Sequence, residues 1–209
     1  MKRNSIRVAL QKKGRLKQPS VEYLRALGLE VTPSEGNHFI SRCANADVEV
    51  MYVRHGDVPQ YVQSGVADFG LVGGNVLHED RFKVKLLRKL DYGHCLLVVA
   101  VPNGSAARGL ADLEGERIAT SYPNSLRRFL SERHVNASLI TIRGSVEIAP
   151  ELGLADAICD LTETGNTLRD NDLKAIETLI GFQCCLIESP IASRAKRLFG
   201  ERFLEAGDA

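Results

Sequence analysis

No apolar run in this chain approaches the roughly 20 residues needed to cross a bilayer as a helix, and no C-x-x-C pair occurs in it. The first absence argues against a helical membrane protein. The second, with an odd total of five cysteines (Cys43, Cys95, Cys159, Cys184 and Cys185), argues against a disulfide framework or a structural zinc site. The adjacent Cys184 and Cys185 sit in an apolar stretch and read as small buried residues. The histidines, His38, His55, His78, His94 and His134, show no metal spacing such as H-E-x-x-H, so each reads as structural or exposed. Ser105 and Ser121 lie in no G-x-S-x-G context, which leaves acyl transfer without support. There is no excess of one charge: 27 Lys and Arg against 26 Asp and Glu give a net charge of +1. A nucleic-acid coat needs a broad basic field, so none is expected, and any anion site must be local. Low-complexity tracts and long linkers are absent too. Met1 to Arg7 is basic but has no apolar segment or cleavage site behind it, so the chain reads as a mature cytoplasmic protein rather than a secreted one.

What is present is an alternation of strand-like and helix-like segments along 209 residues, enough for one large domain or two small ones. Ile6 to Leu10 reads as a buried strand feeding a basic loop, and a helix follows with Val21, Leu24 and Leu27 on one face up to Gly28. Val48 to Val53 is β-rich. Asp57 offers an N-cap with Pro59 in the first turn, and Ala67 to Val72 is the next strand. Val84 to Leu90 and Leu96 to Val101 read as strands. Beyond Leu110 come a strand at Ile118 to Thr120, a helix marked by Leu126, Phe129 and Leu130, a strand at Leu139 to Ile142, a helix capped by Ser145, and a strand at Ala155 to Leu161. Cys184 to Ile187 returns to strand character, and a helix using Ala195, Leu198 and Phe199 closes the chain. One order of features occurs twice, in Asp57 to Val72 and in Ser145 to Leu161: cap, helix, glycine, an Ala-Asp pair, strand, glycine-bearing loop. That repetition suggests two similar parallel α/β lobes with a cleft between them.

The segment richest in chemistry is Asp160-Leu161-Thr162-Glu163-Thr164-Gly165-Asn166-Thr167, directly after a strand, where open α/β sheets bind ligands. Gly165 permits close backbone approach. The N–H groups and the hydroxyls of Thr162, Thr164 and Thr167 suit phosphate oxygens. Asp160 and Glu163 suit ribose hydroxyls or a magnesium ion instead. The same residues could simply form a polar turn bonded to itself. Lys12, Lys13 and Arg15 place three cations within four residues at a strand end, fitted to pyrophosphate or to solvent. Arg54, just past a buried strand, is a weaker candidate that could pair with Asp57. Tyr122 could stack on a base or be buried.

Glu147, Gly153, Asp160, Thr164, Gly165, Thr167 and Leu168 together match a long signature, and on it the chain resembles the ATP phosphoribosyltransferases. The resemblance extends to Val8 through Leu16, to Arg54 with Asp57-Val58-Pro59 and Gly65 through Gly73, and to Ile118 through Pro123. It implies a two-lobed fold like that of type II periplasmic binding proteins, with the active site in the interlobe cleft. The expected lobes are residues 1–92 with 178–209, and 93–177. Because the chain stops near residue 209, it resembles the short form, a homodimer within a hetero-octamer that also holds a regulatory subunit similar to histidyl-tRNA synthetase.

The implied reaction joins ATP to phosphoribosyl pyrophosphate with magnesium present. Arg15, Lys12 and Lys13 would take pyrophosphate, Arg54 would assist, and residues 162 to 167, including Asn166, would hold the 5′-phosphate. Asp160 and Glu147 would face the ribose. No covalent enzyme nucleophile is needed; positioning and stabilisation of the leaving charge suffice. Many members carry an arginine near the positions of Asn37, His38 and Phe39, where this chain has Arg42 a few residues on; Arg42, or Arg15 of a partner protomer, would stand in for it. The other readings are a solute-binding or effector-sensing module of the same fold, and transfer to another base.

Overall fold

Successive side chains of a strand point to opposite faces of its sheet, and the computed structural model shows what each face meets. It describes residues 5–32, 39–193, 196, 199 and 200, so the Asn37 and His38 positions and most of the expected closing helix, Ala195 and Leu198 included, lie outside the described residues. The elements in chain order are β1 (Ile6–Gln11), α1 (Lys17–Ala26), β2 (Ile40–Arg42), β3 (Val48–Val53), α2 (Val58–Gln63), β4 (Phe69–Gly73), α3 (Gly74–Glu79) and β5 (Lys85–Lys89). They continue as β6 (Cys95–Pro102), β7 (Arg117–Thr120), α4 (Pro123–Glu132), β8 (Ser138–Thr141), β9 (Ala157–Thr162), α5 (Asn166–Asp170), β10 (Leu173–Phe182) and β11 (Cys184–Glu188). The chain divides into two compact units, residues 1–93 with 183–209, and residues 94–182. The return to the first unit falls after Phe182 rather than at 178, because β10 runs on to Phe182 against β6.

In the first unit the strand order is β2-β3-β1-β4-β11-β5. Strands β3, β1 and β4 are parallel, while β2, β11 and β5 each pair antiparallel with a neighbour, so the sheet is mixed rather than parallel throughout. Val8 and Leu10 point to one face, where Leu16 and Leu24 cover them; Ala9 points to the other, under Val58 and Val62 of α2. With both faces covered, a strand reads as a nearly continuous apolar run, as Ile6 to Leu10 does. Gly70 is required for this packing, since a Cβ there would stand 2.8 Å from methyl carbons of both Val58 and Val62.

The second unit has the order β10-β6-β9-β7-β8. Strands β8, β7 and β9 are parallel, and β6 and β10 are antiparallel additions. This is the first unit's β3-β1-β4-β11-β5 arrangement in order and direction. The likeness reaches single hydrogen bonds. Arg7 N–H donates to Asp68 Oδ2 (2.8 Å) while Asp68 N–H donates to Arg7 O (2.8 Å). In the second unit Arg117 N–H donates to Asp156 Oδ2 (2.9 Å), and Asp156 N–H to Arg117 O (2.9 Å). The Ala-Asp pair found twice in the sequence is thus a bracket that joins the starts of two parallel strands.

The helices preceding the brackets differ from the expected ones. Asp57 ends a 3-10 turn, His55–Asp57, and makes no side-chain cap bond to α2. Ser145 is left-handed (φ 49°) before a single 3-10 turn, Val146–Ile148, and makes no cap bond either. Four elements escape the sequence reading: the three-residue β2, the short α3 and α5, and β10, whose alternation is broken by register shifts at Ala175/Glu177 and Thr178/Ile180. All five cysteines are buried, and none is in a disulfide.

Candidate active site

In each unit the parallel strands β1, β3 and β4, or β7, β8 and β9, end at one edge, and the candidate residues sit there. Gln11 at the end of β1 is in register with Val53 at the end of β3, and Lys12 N–H donates to Val53 O (2.7 Å). The basic loop and Arg54 therefore start side by side, one strand spacing apart. Lys13, Arg15 and Arg54 are exposed, and Lys12 Nζ lies 4.0 Å from the centroid of the Phe39 ring. Arg54 forms no ion pair with Asp57 among the described residues; their link is Asp57 N–H to Arg54 O (3.0 Å). Arg42 on β2 turns toward Glu49 at 3.9 Å.

His55, read from the sequence only as structural or exposed, is structural. Its Nε2 accepts the N–H of Gly73 at the end of β4 (3.1 Å). Burial, and then the charge of Arg15, lower its pKa to about 4, so the ring is neutral near pH 7. The next N–H, that of Gly74, donates to Gln183 O (2.9 Å). The turn after β4 is thus committed to internal bonds. The available signal was His55 following Arg54 beyond a buried strand, with a Gly-Gly pair ending the next one.

The second unit's turn, after β9, is built differently. Asp160 and Thr162 lie on the last part of β9, Glu163, Thr164 and Gly165 form the turn, and Asn166 and Thr167 begin α5. Gly165 is left-handed (φ 75°), and a Cβ there would meet nothing within 4 Å, so the space above it is open. Thr162 Oγ1 accepts the N–H of Gly165 (3.0 Å), and Thr164 Oγ1 that of Asn166 (3.5 Å). A hydroxyl that accepts through its oxygen still has its proton to donate. The expected self-bonded turn and the expected phosphate cradle are therefore compatible. Arg169 Nη2 donates to Asn166 Oδ1.

Asp160 Oδ1 accepts the N–H of Leu161 (2.8 Å). Burial raises its pKa to about 6 against that bond, and the charge of Glu147 adds to the rise. Glu147 stands on the 3-10 turn that packs beside β9. A carboxyl whose charged form is disfavoured by its surroundings is suited to receive hydroxyl donors or a cation. No group of three or more His, Cys, Asp or Glu that could hold a metal occurs among the described residues. Tyr122 packs, partly buried, against the second unit's core.

The family model described as HisG, ATP phosphoribosyltransferase, matches residues 54–205. An ATP phosphoribosyltransferase of Cytophaga hutchinsonii is 43% identical over 192 residues, which span 92% of this chain and 67% of that protein. Among solved structures, the ATP phosphoribosyl transferase (HisG:HisZ) complex from Thermotoga maritima matches with a TM-score of 0.79 and 31% identity, over 96% of this chain and 98% of that one. The alkanesulfonate-binding protein SsuA from Xanthomonas axonopodis pv. citri matches with a TM-score of 0.61 at 17% identity, over 97% of this chain and 71% of that one. The latter similarity is one of fold alone.

Proposed function

This chain belongs to the ATP phosphoribosyltransferase family, and we propose that it holds the two ends of phosphoribosyl pyrophosphate with the two clusters just described. The enzyme transfers the phosphoribosyl group to N1 of ATP, giving phosphoribosyl-ATP and pyrophosphate, the first step of L-histidine biosynthesis. The turn at residues 162–167 takes the 5′-phosphate, with Thr162, Thr164 and Thr167 donating hydroxyl protons and Gly165 leaving room for close approach. Asp160 and Glu147 accept from the ribose hydroxyls, and Glu163 lies beside them. Lys12, Lys13 and Arg15 take the pyrophosphate, with Arg54 alongside. As N1 of adenine attacks the anomeric carbon, the bond to pyrophosphate breaks and its electron pair leaves with the oxygen. Cations already in place where that charge accumulates lower the barrier without reorganising. The observation that carries this reading is the delivery, by one strand end, of Asp160, Thr162 and a left-handed Gly165 to a single turn.

Magnesium, in this reading, arrives on the pyrophosphate of the substrate. The donor set suits that: magnesium is commonly held by substrate phosphates with one or two carboxylates rather than by an all-protein cage, and Asp160 and Glu163 are oxygen donors of the right kind. A HisZ-like regulatory subunit is the proposed partner, by similarity to the Thermotoga maritima complex. The short form, the homodimer and the hetero-octamer belong to the same proposal.

The test is release of pyrophosphate from phosphoribosyl pyrophosphate by the purified chain, with magnesium, first alone and then with a HisZ-like subunit added. Release that requires ATP and stops on chelation of magnesium is expected. No release in either condition would overturn the assignment of these clusters to catalysis.

A further inference from the structure

A phosphate ester bound at residues 162–167 stands among three carboxylates, Glu147, Asp160 and Glu163, and no residue assigned to that cluster is a cation. Hydroxyls and backbone N–H groups bring only partial charges to a group that carries close to two negative charges. We propose that Arg169 is a further binding residue of this site and supplies the missing positive charge to the 5′-phosphate. The proposal rests on the assignment of the 162–167 turn to that phosphate.

Arg169 stands on α5 three residues after Asn166, a spacing that puts the two side chains on one helix face. Its Nη2 donates to Asn166 Oδ1, and its own N–H donates to Gly165 O (3.1 Å). The guanidinium is therefore tethered to the first residue of the helix that the turn leads into. Arg169 is exposed and takes part in no ion pair among the described residues, so its charge is not already spent on a carboxylate. A guanidinium has five N–H donors in one plane. The bond to Asn166 uses one of them and leaves others to meet phosphate oxygens in pairs. The competing cation, Arg143, follows β8, and β7 lies between β8 and β9. Arg143 thus begins roughly 10 Å from the end of β9 at ordinary strand spacing. Arg169 begins on the turn's own helix.

Equilibrium binding to the full-length chain separates the possibilities, with phosphoribosyl pyrophosphate and inorganic pyrophosphate as the two probes. Arg169→Gln keeps a donor for Asn166 and removes the charge. It is expected to weaken phosphoribosyl pyrophosphate roughly tenfold or more while pyrophosphate stays within about twofold of the parent. Arg169→Lys, which keeps the charge, recovers part of that loss. Equal weakening of both probes would mean that Arg169 acts only through the local structure, and would overturn the proposal. Gly165→Val tests the turn itself. If it weakens phosphoribosyl pyrophosphate while Arg169→Gln does not, the turn holds the phosphate and Arg169 has no part in it. If neither variant changes the affinity, the assignment of the turn fails and Arg169 falls with it.

Discussion

Asp160 is held between two demands. Its burial disfavours the carboxylate, yet the proposed contact with ribose hydroxyls needs it. The pKa of this group is raised from 3.8 to about 6 in the folded chain, so the folded state binds its proton more tightly than the unfolded one does. Its contribution to stability is therefore intact below about pH 3.8 and is lost as pH rises through about 6. Asp160→Asn keeps an oxygen for the Leu161 N–H and carries no charge. It should raise Tm at pH 7.5 by roughly 3 °C or more while reducing pyrophosphate release. A variant that loses stability instead would show that the carboxylate has favourable partners in the fold. In the parent enzyme, kcat/KM for phosphoribosyl pyrophosphate should fall as pH drops below about 6, and a flat profile between pH 5 and 7 would remove Asp160 from the binding step. Arg15 carries a different expectation. It is exposed, so Arg15→Ala should leave Tm nearly unchanged and lower kcat/KM by roughly a hundredfold, the loss typical of a group facing developing charge. Unchanged turnover would assign the leaving charge to other cations.

At the scale of elements, the two Arg–Asp brackets do the same structural job in different surroundings. Asp68 is buried, with its side chain 5% exposed, and Lys196 Nζ sits 3.0 Å from its Oδ1. Asp156 is 35% exposed and faces an Arg117 that is 46% exposed, so solvent screening reduces what that pair contributes. Asp68→Ala leaves an ammonium and a backbone N–H without their carboxylate inside the first unit, at a cost of about 3 kcal/mol or more. Asp156→Ala should cost less than half as much. Urea unfolding monitored in each unit compares them, and equal losses would mean that burial does not set the difference. Arg117 holds the Asp156 pKa down to about 2, so this bracket's contribution is present above about pH 3.8 and fades only as pH falls through about 2. The repeated Ala-Asp pair was legible because the same backbone geometry asks for the same residues twice. The elements that escaped are those in which local pattern is weak. The two irregularities in β10 break its period, and β2 is only three residues long and pairs with β3 along a single edge.

For the whole molecule, the course of the chain decides what can be removed. The second unit is continuous from residue 94 to 182 and has buried clusters on both faces of its sheet. The first unit closes only when β11, which follows the second unit in the chain, pairs with both β4 and β5. A chain ending at Phe182 should therefore lose the first unit's cooperative melt and keep the second's, because β4 and β5 would be left with unpaired edges and Leu186 and Ile187 would be missing from the two cores. Hydrogen exchange resolves the two units. Protection retained in β1, β3 and β4 of the truncated chain would show that β11 is dispensable.

The sequence by itself determined the α/β class, the strand-end positions of the basic loop and of the 160–167 segment, and the family, because these depend on short-range pattern and on residue types whose chemistry is local. It could not determine that Asp160 is buried enough to hold its proton up to about pH 6, that His55 spends its Nε2 on Gly73, or that Arg169 is tied to Asn166. Nor could it show that strands paired antiparallel with their neighbours extend each parallel core, β2, β11 and β5 in the first unit and β6 and β10 in the second. These depend on which atoms crowd around a group once distant segments have packed, and that crowding exists only in the tertiary structure.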